Sequence, residues 1–122
     1  MSEQKKQPVS INLHKKSRLL SITFDDGKSF DLSCEFLRVH SPSAEVMGHG
    51  PGQEVLQTGK ENVSIEDVEP IGNYAIKLQF SDGHNTGLYT WEYLYDLGSN
   101  HDRYWRKYLA ALEKAGIPRE LQ

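Results

Sequence analysis

The chain alternates apolar and polar residues in short runs, and most of these runs stop at a turn signal. Arg18 to Phe24 (Arg-Leu-Leu-Ser-Ile-Thr-Phe) halts at Asp25-Asp26-Gly27 before Ser29 to Leu32 resumes, a pattern that predicts a β-hairpin. Ile11 to Lys15 is expected as a first edge strand. Val63 to Val68 alternates again, Tyr74 to Phe80 follows, and Ser81-Asp82-Gly83 turns the chain back through His84 to Leu88. Glu35 to Arg38 reads as a short helical turn. Thr90 is placed to cap a short helix over Trp91 to Leu97, with a break at Gly98. The last element carries the plainest signal. Ser99 with Asp102 three residues on resembles a capping box, and Trp105, Tyr108, Leu109 and Leu112 then form one stripe at i, i+3, i+4 and i+7. Gly116 and Pro118 supply the stop. A stripe of this kind is expected to lie on a sheet.

The pattern repeats once. Phe24, Asp26 and Gly27 match Phe80, Asp82 and Gly83 at an offset of 56, and Glu35 and Leu37 match Glu92 and Leu94 at an offset of 57. Each copy reads strand, Asp-Gly turn, strand, short helix. Two copies are too few for a solenoid, which needs at least about three; they suit two hairpins in one sheet. The expected fold is therefore α+β: a single small domain, mostly antiparallel sheet with two related β-hairpin units and helices mainly on one face. Its expected limits are residues 10–116, with a flexible N-terminal tail over 1–9 and a C-terminal tail over 117–122.

Between the two copies runs a long connection, 40–62, with glycines at 48, 50, 52 and 59 and prolines at 42 and 51. Loops of that length without regular structure are usually functional or disordered. Charge sharpens the picture. Residues 1–18 carry five basic side chains against one acidic (+4), residues 19–98 four against thirteen (−9), and residues 99–122 five against three (+2). An acidic body disfavours nonspecific nucleic-acid binding. No apolar run approaches the roughly 18 residues of a membrane span. One cysteine, Cys34, excludes an internal disulfide and any multi-cysteine metal site within one chain. These features suit a cytoplasmic protein.

Candidate chemistry is sparse. Cys34 is expected as a buried, inert thiol. His49, between two glycines, and His84, just after the Asp82-Gly83 turn, form with Asp82 a possible two-histidine, one-carboxylate metal set. Both histidines read more simply as surface turn residues. Ser41-Pro42-Ser43 before Glu45 is expected to serve as turn chemistry rather than as a phosphorylation site. Nucleophilic triads, P-loops and dinucleotide-binding glycine patterns are absent from the sequence.

Three stretches together resemble a known family. Leu37 to Val46 (Leu-Arg-Val-His-Ser-Pro-Ser-Ala-Glu-Val) leads into Gly48-His49-Gly50; Ile65 to Ala75 contains Glu69-Pro-Ile-Gly-Asn-Tyr-Ala75; and Phe80 to Leu94 closes the pattern. They are similar to small bacterial proteins of the gamma-butyrobetaine hydroxylase-like N-terminal domain family (DUF971), over roughly residues 10–100. The resemblance implies a small α+β domain. In the hydroxylases this domain precedes a separate oxygenase domain, so the likeness is to the accessory part alone and implies no oxygenase activity. It also implies a zinc site of three cysteines and a histidine in those relatives. The cysteine positions fall here on Ser41, Ser43 and Val46, and only the histidine, as His84, has a counterpart. Serine hydroxyls and a valine do not replace thiolates around zinc. No cofactor is therefore expected. Similar domains are appended to some iron–sulfur cluster carrier ATPases, which suggests an iron–sulfur assembly component as partner.

The leading expectation is a noncatalytic interaction module with a protein partner. Its binding-surface candidates are Arg38, His40, Ser41, Ser43, Glu45, His49, Asn73, Tyr74, His84 and Trp91. Two alternatives stand beside it. One is a zinc or iron protein, or a small enzyme, using His49, Asp82 and His84. The other is an oligomerisation unit that docks through the Trp105, Tyr108 and Leu112 stripe.

Overall fold

The computed structural model describes residues 6–48 and 54–119. Strands β1 (Pro8–His14), β2 (Leu19–Phe24) and β3 (Ser29–Ser33) form one antiparallel sheet in the order β1-β2-β3. Helices α1 (Cys34–Val39) and α2 (Ala44–Met47) follow. Strands β4 (Ile65–Ile71), β5 (Ala75–Phe80) and β6 (Leu88–Thr90) form a second antiparallel sheet, β4-β5-β6. The chain continues through α3 (Trp91–Ser99) and α4 (His101–Lys114). This is the expected α+β domain with two related hairpins. The hairpins, however, do not share a sheet. They form separate three-stranded sheets whose apolar side chains join in one buried core.

That core is written in the alternation. Leu20, Ile22 and Phe24 of β2 and Ile76, Leu78 and Phe80 of β5 are almost fully buried, joined by Leu32, Ile65, Phe36, Leu37, Tyr89, Leu94 and Leu97. The outer strands β1 and β4 are largely exposed and each contains a proline, Pro8 and Pro70, which blunts an open edge. Cys34 is buried as expected, and burial pushes its thiol pKa up.

The two copies share their turn chemistry. Gly27 N–H donates to Phe24 O (2.9 Å) and Gly83 N–H to Phe80 O (3.0 Å), with φ of +88° and +89°, a conformation that favours glycine. Phe24 N–H closes on Lys28 O and Phe80 N–H on His84 O. Ser33 caps α1 and Thr90 caps α3, each accepting from the backbone N–H three residues on.

Several boundaries differ from the sequence reading. The return strand after Asp82-Gly83 is Leu88–Thr90, not His84–Leu88. The connection between the copies contains the four-residue helix α2. Gly98 does not end α3, which runs through Ser99. A Cβ at Gly98 would stand 2.3 Å from the Phe30 ring, so this glycine serves close helix–strand packing. The capping box at Ser99 is not formed. Ser99 is still helical, Asn100 is the N-cap of α4 and makes no side-chain capping bond there, and its amide instead donates to Asp96.

The α4 stripe faces inward, but onto helix α1 and the segment after α4, not onto a sheet as expected. Tyr108 and Leu112 are buried with Val39 of α1, and Trp105 packs against both apolar clusters. The segment after α4 folds back, with Ile117 N–H donating to Leu112 O (2.9 Å).

Candidate functional site

Six of the ten candidate residues converge on one corner, where the end of α1, the start of α2 and the residues after the second Asp-Gly turn meet. The cause is a register change. In the first hairpin Thr23 pairs Ser29, directly after the turn. In the second, pairing resumes only at Lys77 with Leu88, so residues 84–87 leave the ladder. The single residue by which the second copy is longer lies in this stretch. It carries His84 and Thr86 out of the sheet and against the Ser41-Pro42-Ser43 turn. Gly87 permits the approach, since a Cβ there would stand 2.3 Å from Ser41 Oγ and 3.0 Å from Pro42 Cδ.

Ser41 is fully buried. Its Oγ accepts from Ser43 N–H (3.3 Å) and bonds His84 Nε2 (2.8 Å). Ser43 caps α2 by accepting from Glu45 N–H (3.2 Å), and its hydroxyl also meets Thr86 Oγ1 at 2.7 Å. Thr86 donates to Glu45 Oε1 (3.1 Å). His84 Nδ1 stands 3.5 Å from Glu45 Oε2 and is buried without a hydrogen-bond partner. Burial lowers the His84 pKa, helped by the Arg38 charge and opposed by Glu45 and Asp82. The imidazole is therefore neutral near pH 7.

A charged cluster adjoins it. Arg38 Nε donates to Asp82 Oδ2 (2.8 Å), its Nη1 to Gln57 Oε1 (3.0 Å), and Lys60 Nζ reaches the same Asp82 oxygen at 2.6 Å. Asp82 Oδ1 accepts from His84 N–H (3.2 Å), the local turn bond typical of aspartate. Burial alone would raise the Asp82 pKa. Hydrogen bonds from Lys60, His84 N–H and Arg38 outweigh it and hold the group at about 2. Arg38 thus pairs with Asp82.

His40 ends α1. Its Nδ1 donates to Phe36 O (2.9 Å), while Tyr89 and Tyr93 donate to Leu37 O and His40 O, both at 2.6 Å. These bonds satisfy carbonyls that a helix C-terminus leaves open. Burial lowers the His40 pKa and pushes that of Tyr93 up to about 12. Thr86, Gln57, Lys60, Tyr89 and Tyr93 were not among the sequence candidates. Only Thr86, next to Gly87, carries a sequence signal, namely its place in the longer turn.

Asn73, Tyr74 and Trp91 form a separate group at the other end of β5. Trp91 Nε1 donates to Asn73 O (2.8 Å) and Trp91 N–H to Tyr74 O (3.1 Å), while the Tyr74 side chain is exposed. At about 3.3 Å per residue the length of β5 separates them from the corner by roughly 17 Å. His49 lies outside the described residues. Of the metal set with Asp82 and His84, Asp82 is engaged by two cations. Among the described residues no three His, Cys, Asp or Glu side chains are grouped to hold a metal ion, and no helix is long and apolar enough to cross a membrane.

The chain is similar to known proteins over most of its length. Residues 11–95 match the family model described as gamma-butyrobetaine hydroxylase-like, N-terminal. Two NMR solution structures, each 53% identical, superpose with a TM-score of 0.81; they cover 94% and 98% of this chain and 90% and 91% of their own. A crystal structure of a DUF971-family protein of unknown function from Acidithiobacillus ferrooxidans is 43% identical over 75% of this chain and 92% of its own, with a TM-score of 0.63. Comparison with curated proteins gives no match.

Proposed function

The chain belongs to the gamma-butyrobetaine hydroxylase-like, N-terminal family (DUF971), and on that premise we propose that it is a noncatalytic interaction module with a protein partner. The proposed binding surface comprises the rim of the Ser41–His84 corner. The observation that carries this reading is the pairing of a fixed corner with an apolar rim. Met47, Val55 and Leu56 are exposed by 42%, 53% and 37%, and Val55 N–H bonds Val46 O (2.8 Å), which draws the returning segment against α2. Exposed apolar side chains gathered beside a rigid scaffold are the usual makings of a recognition surface.

The corner itself is read as a metal-free version of the relatives' zinc site. Ser41 and His84 meet at 2.8 Å, the contact expected if the histidine of that site now bonds a hydroxyl. Val46 is buried and apolar. Neutral serine and threonine hydroxyls are poor zinc ligands. The proposed setting is cytoplasmic, with an iron–sulfur assembly component as the partner class and no oxygenase chemistry in this domain.

Two measurements test the proposal. Elemental analysis of chelator-washed protein is expected to find no stoichiometric zinc or iron; a retained equivalent overturns the metal-free reading. Binding to purified iron–sulfur scaffold and carrier proteins is expected to weaken at least tenfold in a Met47→Asp, Val55→Asp double variant. Unchanged affinity removes the rim from the proposal, and no binding at all removes the partner class.

A further inference from the structure

A second feature lies outside this corner. Glu35, the second residue of α1, is only 5% exposed, yet it holds a carboxylate. It accepts from Tyr108 Oη (2.8 Å) and from Arg119 through both Nε (2.8 Å) and Nη2. Arg119 also lies over the Trp105 ring, 5.1 Å from its centroid. A carboxylate engaged at two points and an aromatic face are contacts that recognise a guanidinium, and the Tyr108 phenol, bonded to that carboxylate, holds it in place.

The residue supplying that guanidinium is not part of a regular element. Arg119 follows Pro118 beyond the end of α4, and its side chain remains 25% exposed. A buried carboxylate is therefore matched by a cation from a segment outside the helices and strands.

Beside the clamp is a cavity of about 400 Å³, bordered by Arg18, Asp31, Glu35, Glu61, Trp105 and Arg119. Three carboxylates against two guanidiniums give it an acidic excess, which favours a cationic guest. Arg18 forms the far wall with φ of +56°, rare for a residue with a Cβ, and its guanidinium donates to Asn62 O (3.0 Å). The space adjoins the Glu35 slot, so a second arginine-like group has room to enter beside the first.

We infer that Glu35, Tyr108 and Trp105 form an exchangeable guanidinium-binding site, which Arg119 fills in cis and which a guanidinium group from outside the chain takes over. The ligand chemistry is shared by a free small guanidinium compound and by an arginine within a peptide. The site is separate from the Ser41–His84 corner, and its test does not depend on the function proposed for that corner.

The probes are methylguanidinium and the capped tripeptide acetyl-Ile-Pro-Arg-amide, with the sequence of residues 117–119, read through the Trp105 indole N–H resonance. In Arg119→Ala both are expected to shift that resonance saturably, and in the wild-type protein at least tenfold more weakly but still saturably. Glu35→Gln is expected to abolish the response. Equal affinity for the two probes marks small guanidinium compounds as sufficient ligands; a clear preference for the tripeptide marks a peptide arginine. A folded Arg119→Ala protein with no saturable shift overturns the site. Binding by Arg119→Ala with no wild-type response overturns exchange and leaves Arg119 a permanent latch. Binding undiminished by Glu35→Gln overturns the assigned slot. Should Arg119→Ala fail to fold, Arg119→Lys keeps the charge with a weaker grip, and the same probes must displace it; their failure to do so also overturns exchange.

Discussion

Both hairpins close their Asp-Gly turn with the same backbone bonds, but the first resumes strand pairing directly after it and the second does not, although both start from the same Phe, Asp and Gly. In the first, Asp26 sits on the surface, bonds Lys28 N–H and takes the Tyr95 hydroxyl. In the second, Asp82 makes the same local bond to His84 N–H but gathers Arg38 and Lys60 as well. One extra residue accounts for the divergence. A tight hairpin leaves its turn side chains in solvent, whereas a stretch released from the ladder can be folded onto a neighbouring element. The second copy thereby acquires a buried polar corner that the first has no means of building.

If the copies are equivalent in the core and different only beyond the turn, the largest effects should be the same in both. Phe24 and Phe80 are each 1% exposed. Phe24→Ala and Phe80→Ala are each expected to cost about 3–5 kcal/mol, the range for emptying a buried aromatic site. Urea unfolding checks this. A cost below about 1 kcal/mol for either would mean that its hairpin is not anchored in the shared core.

Gly87→Ala should break the second copy alone. Its new methyl would overlap Ser41 Oγ, at 2.3 Å, and must either push Ser41 from His84 or move the 84–87 stretch. The expected loss is about 2–3 kcal/mol, within the range for overpacking, with displacement of the His84 ring resonances. An unperturbed His84 spectrum would show that the approach at Gly87 is not what seats the corner.

Asp82→Asn separates the two turns electrostatically. The folded-state pKa of Asp82, about 2, lies below its ordinary 3.8. Its stabilisation is therefore complete above roughly pH 5 and is lost as pH falls through 4 towards 2, an effect of about 2 kcal/mol. Asp82→Asn should remove that acid dependence and lower stability at pH 7 by a similar amount, because Arg38 keeps its burial and loses its anion. Asp26→Asn, on an exposed turn, should do much less. Unfolding midpoints measured from pH 2.5 to 7 distinguish them, and equal acid profiles for the two variants would erase the distinction.

The sequence made the strands other than β6, both Asp-Gly turns, the Ser41–Ser43 turn chemistry and the inward stripe of α4 legible because each depends on local pattern. It misled where a residue answers to a distant partner. Gly98 looks like a helix breaker until the Phe30 ring is placed beside it, and Ser99 looks like a cap until α3 extends through it. The resemblance placed His84 beside Ser41 and Ser43 in one corner, but Thr86, Gln57 and Lys60 entered only with the fold, since their roles depend on the extra residue that opens the second hairpin.

The smallest expected difference concerns what the copies retain in common. Ser33 accepts from Phe36 N–H at 3.0 Å and Thr90 from Tyr93 N–H at 3.2 Å, each starting the helix that follows its hairpin. Ser33→Ala and Thr90→Ala should each cost about 1 kcal/mol, the usual loss of an N-cap side chain. Ser43→Ala is different: it removes both the α2 cap and the 2.7 Å contact with Thr86, so its cost should exceed that of the two paired caps. A double-mutant cycle with Thr86→Val isolates the second contribution. Coupling near zero would mean that the hydroxyl pair adds nothing to the corner, and that the second copy differs from the first through Asp82 and Ser41 alone.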